Sequence, residues 1–246
     1  MPRVDLPTSD FQVERFSIRL AAASAMLGAL LALIVNPLHG DLPVDPETAL
    51  TRVASTEGWS LLHLGIMASV VFLLGGLYGL SQVADGPLAR ALARLSLVVA
   101  LPAAAIMLAG IAIDGFATKG LADAWASAPA TERATAFRMA LAVEEVQNAL
   151  FHTWAALFIG LPFLLLGVSG LLDGGGFPRW LGLVALVGGA GALLVGIAGF
   201  LHLPVPGALF NVFAFIVTLW VLVAGVLVWR APARPSAALL QARSAA

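Results

Sequence analysis

The stretch WSLLHLGIMASVVFLLGGLYGL, Trp59–Leu80, decides the class of fold. It runs for 22 residues without an Asp, Glu, Lys or Arg. An α-helix rises 1.5 Å per residue, so about 20 such residues cross a hydrocarbon layer of about 30 Å. Five other stretches meet the same requirement, at about 16–36, 94–117, 147–171, 178–201 and 207–229. The sequence therefore predicts an all-α polytopic membrane protein: an N-terminal tail over 1–15, six transmembrane helices over 16–229 and a C-terminal tail over 230–246. The first stretch has the charge pattern of a signal peptide, but no small-residue cleavage site follows Asn36-Pro37-Leu38-His39, and it is expected to be a retained helix.

Composition agrees with this class. Of 246 residues, 60% are hydrophobic and 11% charged, far from the balance of a soluble domain. A net charge of −1 argues against a nucleic-acid partner. The absence of cysteine removes disulfides, thiolate zinc sites, iron–sulfur clusters and covalently attached haem. The Ala-, Gly- and Arg-rich, Lys-poor usage points to a bacterial source and hence the inner membrane. The bilayer is then the first partner, with other membrane subunits as further candidates.

Loop charge sets the expected direction. With the N-terminus inside, the cytoplasmic side holds Arg3, Arg15, Arg19, Arg90, Arg94, Arg179, Arg230, Arg234 and Arg243. The outer side holds only Arg52, Lys119, Arg133 and Arg138, together with Asp41, Asp45, Glu47, Glu57, Asp114, Asp123, Glu132, Glu144 and Glu145. Both termini are therefore expected in the cytoplasm. The turns at Ser81–Ala93 and Leu172–Phe177 are short, whereas the outer connections at 37–58 and 118–146 are long. Within the second, Thr131 and Glu132 read as a helix start. A helix running unbroken from there to Leu171 would be about 60 Å long, so the fourth helix is expected either to project beyond the membrane or to break near Gln147.

Two hairpins resemble each other. Leu61-Leu62-His63 matches Leu150-Phe151-His152, Arg94-Leu95-Ser96-Leu97 matches Arg179-Trp180-Leu181-Gly182, and Gly110-Ile111-Ala112 matches Gly196-Ile197-Ala198. Such a duplication would make helices two to five a pseudo-repeated four-helix core with His63 and His152 in equivalent places. Small residues four apart, Ser24-Gly28-Ala32, Gly75-Gly79, Ala105-Ala109, Ala185-Gly189 and Ala192-Gly196, read as close-packing faces. Pro102 and Pro162 read as kinks.

All four histidines, His39, His63, His152 and His202, fall near the expected outer end. On the fourth helix, Glu145 and His152 lie about 20° apart on a helical wheel, Asn148 about 40° further and Glu144 about 40° beyond that. Exposing that face to lipid is costly, so it should look into the bundle or an aqueous vestibule. Asn36, His39, Asp114 and Asn211 reach the same level. Against this, polar residues are cheap at helix ends, the proline-flanked His39 and His202 read as interfacial, and Trp59 and Trp154 read as aromatic-belt residues.

Three chemistries suit the cluster. His63 and His152 could ligate a haem b. His63, His152 and His202 with Glu145 and Asp114 could hold a divalent metal through mixed nitrogen and oxygen ligands. A carboxylate–histidine network could relay protons or hold a polar solute in a transporter. No HExxH, phosphate-cradling Gly loop or nucleophile elbow is present, so a non-enzymatic membrane protein is the leading expectation. His63 and His152 are expected to face each other across the bundle with Glu145 and Asp114 beside them.

The segments Trp59-Ser60-Leu61-Leu62-His63-Leu64-Gly65, Ile113-Asp114-Gly115-Phe116-Ala117 and Phe177-Pro178-Arg179-Trp180-Leu181-Gly182 resemble those of uncharacterised bacterial six-helix integral membrane proteins. The resemblance implies the same six-helix fold and supplies no activity or catalytic residues.

Overall fold

The structure is a computed structural model that describes residues 8–172 and 176–231. The tail assignments over 1–7 and 232–246, with Arg3, Arg234 and Arg243, lie outside the described residues, as do Asp173, Gly174 and Gly175 of one short turn. The described chain is helical throughout, with no strand. In order it forms α1 (Thr8–His39), α2 (Pro46–Ser55), α3 (Trp59–Ser81), α4 (Pro87–Ala112), α5 (Lys119–Ser127), α6 (Ala130–Trp154), α7 (Leu161–Leu171), α8 (Arg179–Phe200) and α9 (Gly207–Arg230). A π-helical turn, Ile113–Thr118, fuses α4 to α5, and another, Ala155–Gly160, fuses α6 to α7.

Six of the resulting rods are long and apolar enough to cross a membrane: Arg15–His39, Trp59–Ser81, Pro87–Ser127, Ala130–Leu171, Arg179–Phe200 and Gly207–Arg230. They follow one another around a ring in chain order, and α9 closes it against α1. The tightest pairs are α1 with α3 and α7 with α8. Burial is inverted with respect to side-chain size. Ala25, Ala29, Ala100, Ala155, Ala185, Ala192 and Ala224 are fully enclosed or nearly so, whereas Leu61, Val71, Val98, Leu194 and Phe215 are more than half exposed. This is expected where the surroundings are as apolar as the side chains: van der Waals contact between closely spaced backbones then drives packing. A methyl group added at Gly76 would land on the Cα of Ala25, 2.6 Å away, and one at Gly189 on the Leu164 amide. Four of the five small-residue faces pack in this way. Ala105 and Ala109 instead point outward, and Ala103, Ala104, Met107 and Gly110 form the inner face of α4.

Side-chain hydrogen bonds lock the ring. Ser24 Oγ donates to Phe72 O (2.8 Å), Ser169 Oγ to Ala89 O (2.8 Å) and Trp220 Nε1 to Leu181 O (2.7 Å). Pro162 occupies the first turn of α7, directly after the π turn at 155–160. A proline there has no N–H and crowds the carbonyl one turn back, and the widened turn accommodates both effects. Helix α4 continues through Pro102.

The expected loop at 118–146 is helical instead. The third and fourth rods are 41 and 42 residues long, about 60 Å each, and both extend well past a hydrocarbon layer. The fourth rod does not break near Gln147; its irregular turn begins at Ala155, after α6. The projecting ends have their own core. Ala122 and Trp125 of α5, Ala140 of α6 and Leu50 and Val53 of α2 are buried together with Trp59, and Phe137 packs at the edge. The spacing 122/125 and 136/137/140 puts one apolar stripe on each helix. The Arg133 guanidinium lies 4.7 Å over the Trp125 ring. This small cap sits on the end of the bundle that carries the histidines.

Candidate metal site at the capped end

Helix α1 ends at His39, where Gly40 takes φ +62° and turns the chain away. Arg52 of α2 clamps that turn, donating to His39 O (3.0 Å) and Asp41 O (2.7 Å). The His39 ring is thereby held over the first turn of α3, where Trp59 and His63 lie one turn apart. The three rings stack in a compact group: His39 to Trp59 and Trp59 to His63 are 4.7 Å between centroids, and His39 to His63 is 5.0 Å. Trp59 is 1% exposed, so it is a wall of this site and not the belt residue expected from its position.

Asp114 arrives from the opposite side on the π turn. A π turn shifts backbone bonding by one residue, so carbonyl groups there need other donors. Helix α3 provides them: Trp59 Nε1 donates to Asp114 O (3.0 Å) and Ser60 Oγ to Gly115 O (2.7 Å). Gly115 permits this closeness, because a Cβ at that position would collide with Cβ of His63.

The imidazole hydrogen bonds fix the chemistry of the site. His63 Nδ1 lies 2.8 Å from Trp59 O, and His39 Nδ1 lies 2.7 Å from Gly40 O. A carbonyl oxygen can only accept, so each Nδ1 carries the proton and donates it. A neutral ring held in this way presents an Nε2 lone pair, and a protonated one presents an Nε2–H to Asp114. Both Nε2 atoms point at one carboxylate oxygen: His63 Nε2 is 3.1 Å and His39 Nε2 3.5 Å from Asp114 Oδ2. The His63 ring is fully buried, and its Nε2 lacks a well-aligned hydrogen bond. With both rings neutral, three acceptors converge on one point and repel each other unless a proton or a metal cation lies between them. The three donor atoms lie within 4.8 Å of one another, compatible with the separation of about 3.3 Å between ligands bound at 2.0–2.1 Å around a tetrahedral zinc ion. Nδ1–H groups tied to backbone carbonyls are also the usual second shell of metal-binding histidines. Glu144 of α6, half-buried, adds a second negative charge within electrostatic range of Asp114.

The expected five-residue site divides in two. His63 and Asp114 come together, but their partner is His39, which the sequence reading set aside as interfacial. His152 and His202 instead border a separate cavity between α6, α8 and α9. His63 and His152 therefore do not share a ligand, and the haem pair and the His63–His152 metal site are corrected accordingly. The cause is the ring order, which places α3 against α1 and α4, and α6 against α4 and α8. Glu145 is exposed, as are Asn36, Asn148 and Asn211, so the polar stripe of the fourth rod does not turn wholly inward. Glu144, its neighbour, is half-buried and within electrostatic range of Asp114. Trp154 is half-buried against Phe151 and Phe210 and is likewise no simple belt residue.

One likeness between the two hairpins does appear. In each, the histidine of the first helix packs on a glycine near the end of the second: His63 on Gly115 and His152 on Gly199.

No family model, no curated protein and no solved structure matches the chain.

Proposed function

We propose that this is a bacterial inner-membrane protein that holds one divalent transition-metal ion at the outer, capped end of its bundle, with both termini in the cytoplasm. The ligands are His39 Nε2, His63 Nε2 and the Asp114 carboxylate. The observation that carries this reading is the convergence of His39 Nε2, His63 Nε2 and the Asp114 carboxylate within 4.8 Å of one another, with each Nδ1 tied to a backbone carbonyl so that a neutral ring turns its lone pair toward the carboxylate. Two imidazoles and one carboxylate suit Zn²⁺ or Fe²⁺ better than Ca²⁺ or Mg²⁺, which prefer all-oxygen sites. Three protein ligands leave at least one coordination position for water or another small ligand, as in sites that bind or activate a substrate. Trp59 and the fully buried His63 close the bundle side, while His39 and Asp114 keep some exposure.

The test is metal content. Protein purified in detergent and loaded with Zn²⁺ or Fe²⁺ should hold about one ion per chain by elemental mass spectrometry. The variants His63→Ala and Asp114→Asn should each lose it, whereas His152→Ala should keep it. Wild-type protein that retains no ion after loading, or loses it no faster on His63→Ala, overturns the reading.

A further inference from the structure

The second histidine pair borders a cavity of about 380 Å³, within the range of small-molecule sites. It lies where the fourth, fifth and sixth rods meet at the capped end. Phe151 and His152 of α6, Gly199 of α8, His202 and Val205 of the connecting loop and Phe210 of α9 form its wall. Among the described residues that line it, the only side chains with hydrogen-bonding groups are the two imidazoles. There is no Lys or Arg to hold a phosphate or carboxylate, and no Asp or Glu to hold a cation.

The geometry points to a membrane quinone as the occupant, with its flat carbonyl-bearing ring against the phenylalanine pair and a carbonyl oxygen on His152. Four observations support this. First, His152 Nδ1 is buried without a partner against Gly199, where a Cβ would overlap the ring. An unpaired lone pair is tolerated in such a place better than an unpaired N–H, so the proton resides on Nε2 and the ring offers a donor. Second, the aromatic wall is already ordered: Phe151 meets Phe210 edge-on at 4.8 Å and His152 at 5.2 Å. Flat rings pack well against such surfaces. Third, the rim is apolar. Phe200, Leu201 and Leu203 are more than half exposed, so entry from lipid is favoured over entry from water. Fourth, His202 is held at φ +52°, alone among the described non-glycine residues in having a positive φ. Such strain persists where the surroundings impose it, and it collects at binding sites. Pro204 and Pro206 remove two backbone donors from the loop, leaving the imidazoles as the side-chain donors. This inference is independent of the metal reading, since it shares no ligand with it.

The probe is a ubiquinone with a single isoprene unit, radiolabelled, with protein in phosphatidylcholine nanodiscs and empty nanodiscs as the partition control. Wild-type protein should bind it saturably at about one per chain. Val205→Trp, which fills the cavity from a loop, and His152→Gln, which removes the ring donor at similar length, should each weaken binding about tenfold or more. His63→Ala should bind as wild type. Retained far-ultraviolet circular dichroism and a single size-exclusion peak identify folded variants. Binding no greater than in empty nanodiscs overturns the proposal. So does wild-type affinity in both cavity variants, or displacement of the quinone by dioleoylglycerol at equal concentration, which assigns the cavity to a lipid ester instead.

Discussion

Two glycines in the third rod should respond to alanine with opposite signs. Gly115 sits on the π turn against His63, and a Cβ there meets Cβ and Cγ of that ring-bearing side chain, neither of which can swing away. Gly120, in α5, has nothing within 4 Å of the same added atom. Replacing a helical glycine by alanine gains about 0.5–1 kcal/mol from backbone entropy, and Gly120→Ala should realise that gain. Gly115→Ala receives the same benefit but must move α3 and the 113–118 turn apart, at an overpacking cost of about 1–3 kcal/mol. Its net effect is a destabilisation of up to about 2.5 kcal/mol. The separation also stretches the 3.1 Å approach of His63 Nε2 to Asp114 Oδ2 and the bonds from Trp59 and Ser60. Displacing supports of this kind lowers metal affinity about 10–100-fold. Equilibrium unfolding in a detergent titration reads the first effect, and zinc competition against a chelating dye reads the second. Gly115→Ala protein with wild-type stability and zinc affinity would refute the seating of α3 on the π turn. Equal shifts in both variants would show that position in the hairpin, not contact with His63, sets the response.

Trp59→Phe keeps a ring beside His39 and His63 but removes the donor to Asp114 O, so it should cost about 1 kcal/mol in the same unfolding assay; an unchanged midpoint would return Trp59 to a passive role. At the head of α2, Asp45 accepts from the Thr48 hydroxyl and from Thr48 N–H, and these bonds hold its carboxyl below the usual carboxylate value. Because the folded state favours the ionised form, the cap contributes fully above the ordinary Asp value of about 3.9 and is lost as the pH falls through the lower folded value. Amide exchange in α2 should therefore show fraying at acid pH that Asp45→Asn largely abolishes, and fraying that grows with rising pH would contradict the capping geometry.

The six membrane-crossing rods were legible because length and apolarity alone set them: a run such as Trp59–Leu80 has few other solutions. Projection of the fourth rod was legible as one of two alternatives, but that of the third was not, because 118–146 carries charges along its length. Its apolar stripe, Ala122, Trp125, Ala136, Phe137 and Ala140, is too short to register beside neighbouring spans. Thr131 and Glu132 did mark a helix start, but the cap position falls two residues earlier, on Pro129, and Thr131 does not cap it. At the site, His63 and Asp114 were visible as polar residues inside or beside apolar runs. His39 was missed because Pro37 and a helix end explain it equally well, and only the clamp by Arg52 brings it onto α3. Glu145 was chosen over Glu144 from a wheel of ideal pitch. A wheel reports which residues share a face and not which helix that face meets.

The two π turns have a consequence for how such a chain tolerates insertions and deletions. Each turn accommodates one residue more than the α-helix around it needs. The membrane half and the projecting half of the third and fourth rods are thus clocked separately, like two shafts joined by an offset coupling. Deleting one residue from 113–118 would leave a continuous α-helix with everything beyond in its present orientation, whereas deleting one from the regular helix between Thr118 and Trp125 would rotate the rest by about 100°. Asp114 and the Trp125 stripe could not then both keep their partners. Loss of a single residue should be absorbed at these two couplings and in the connections at either end of the rods, and very poorly in the regular α-helix between them.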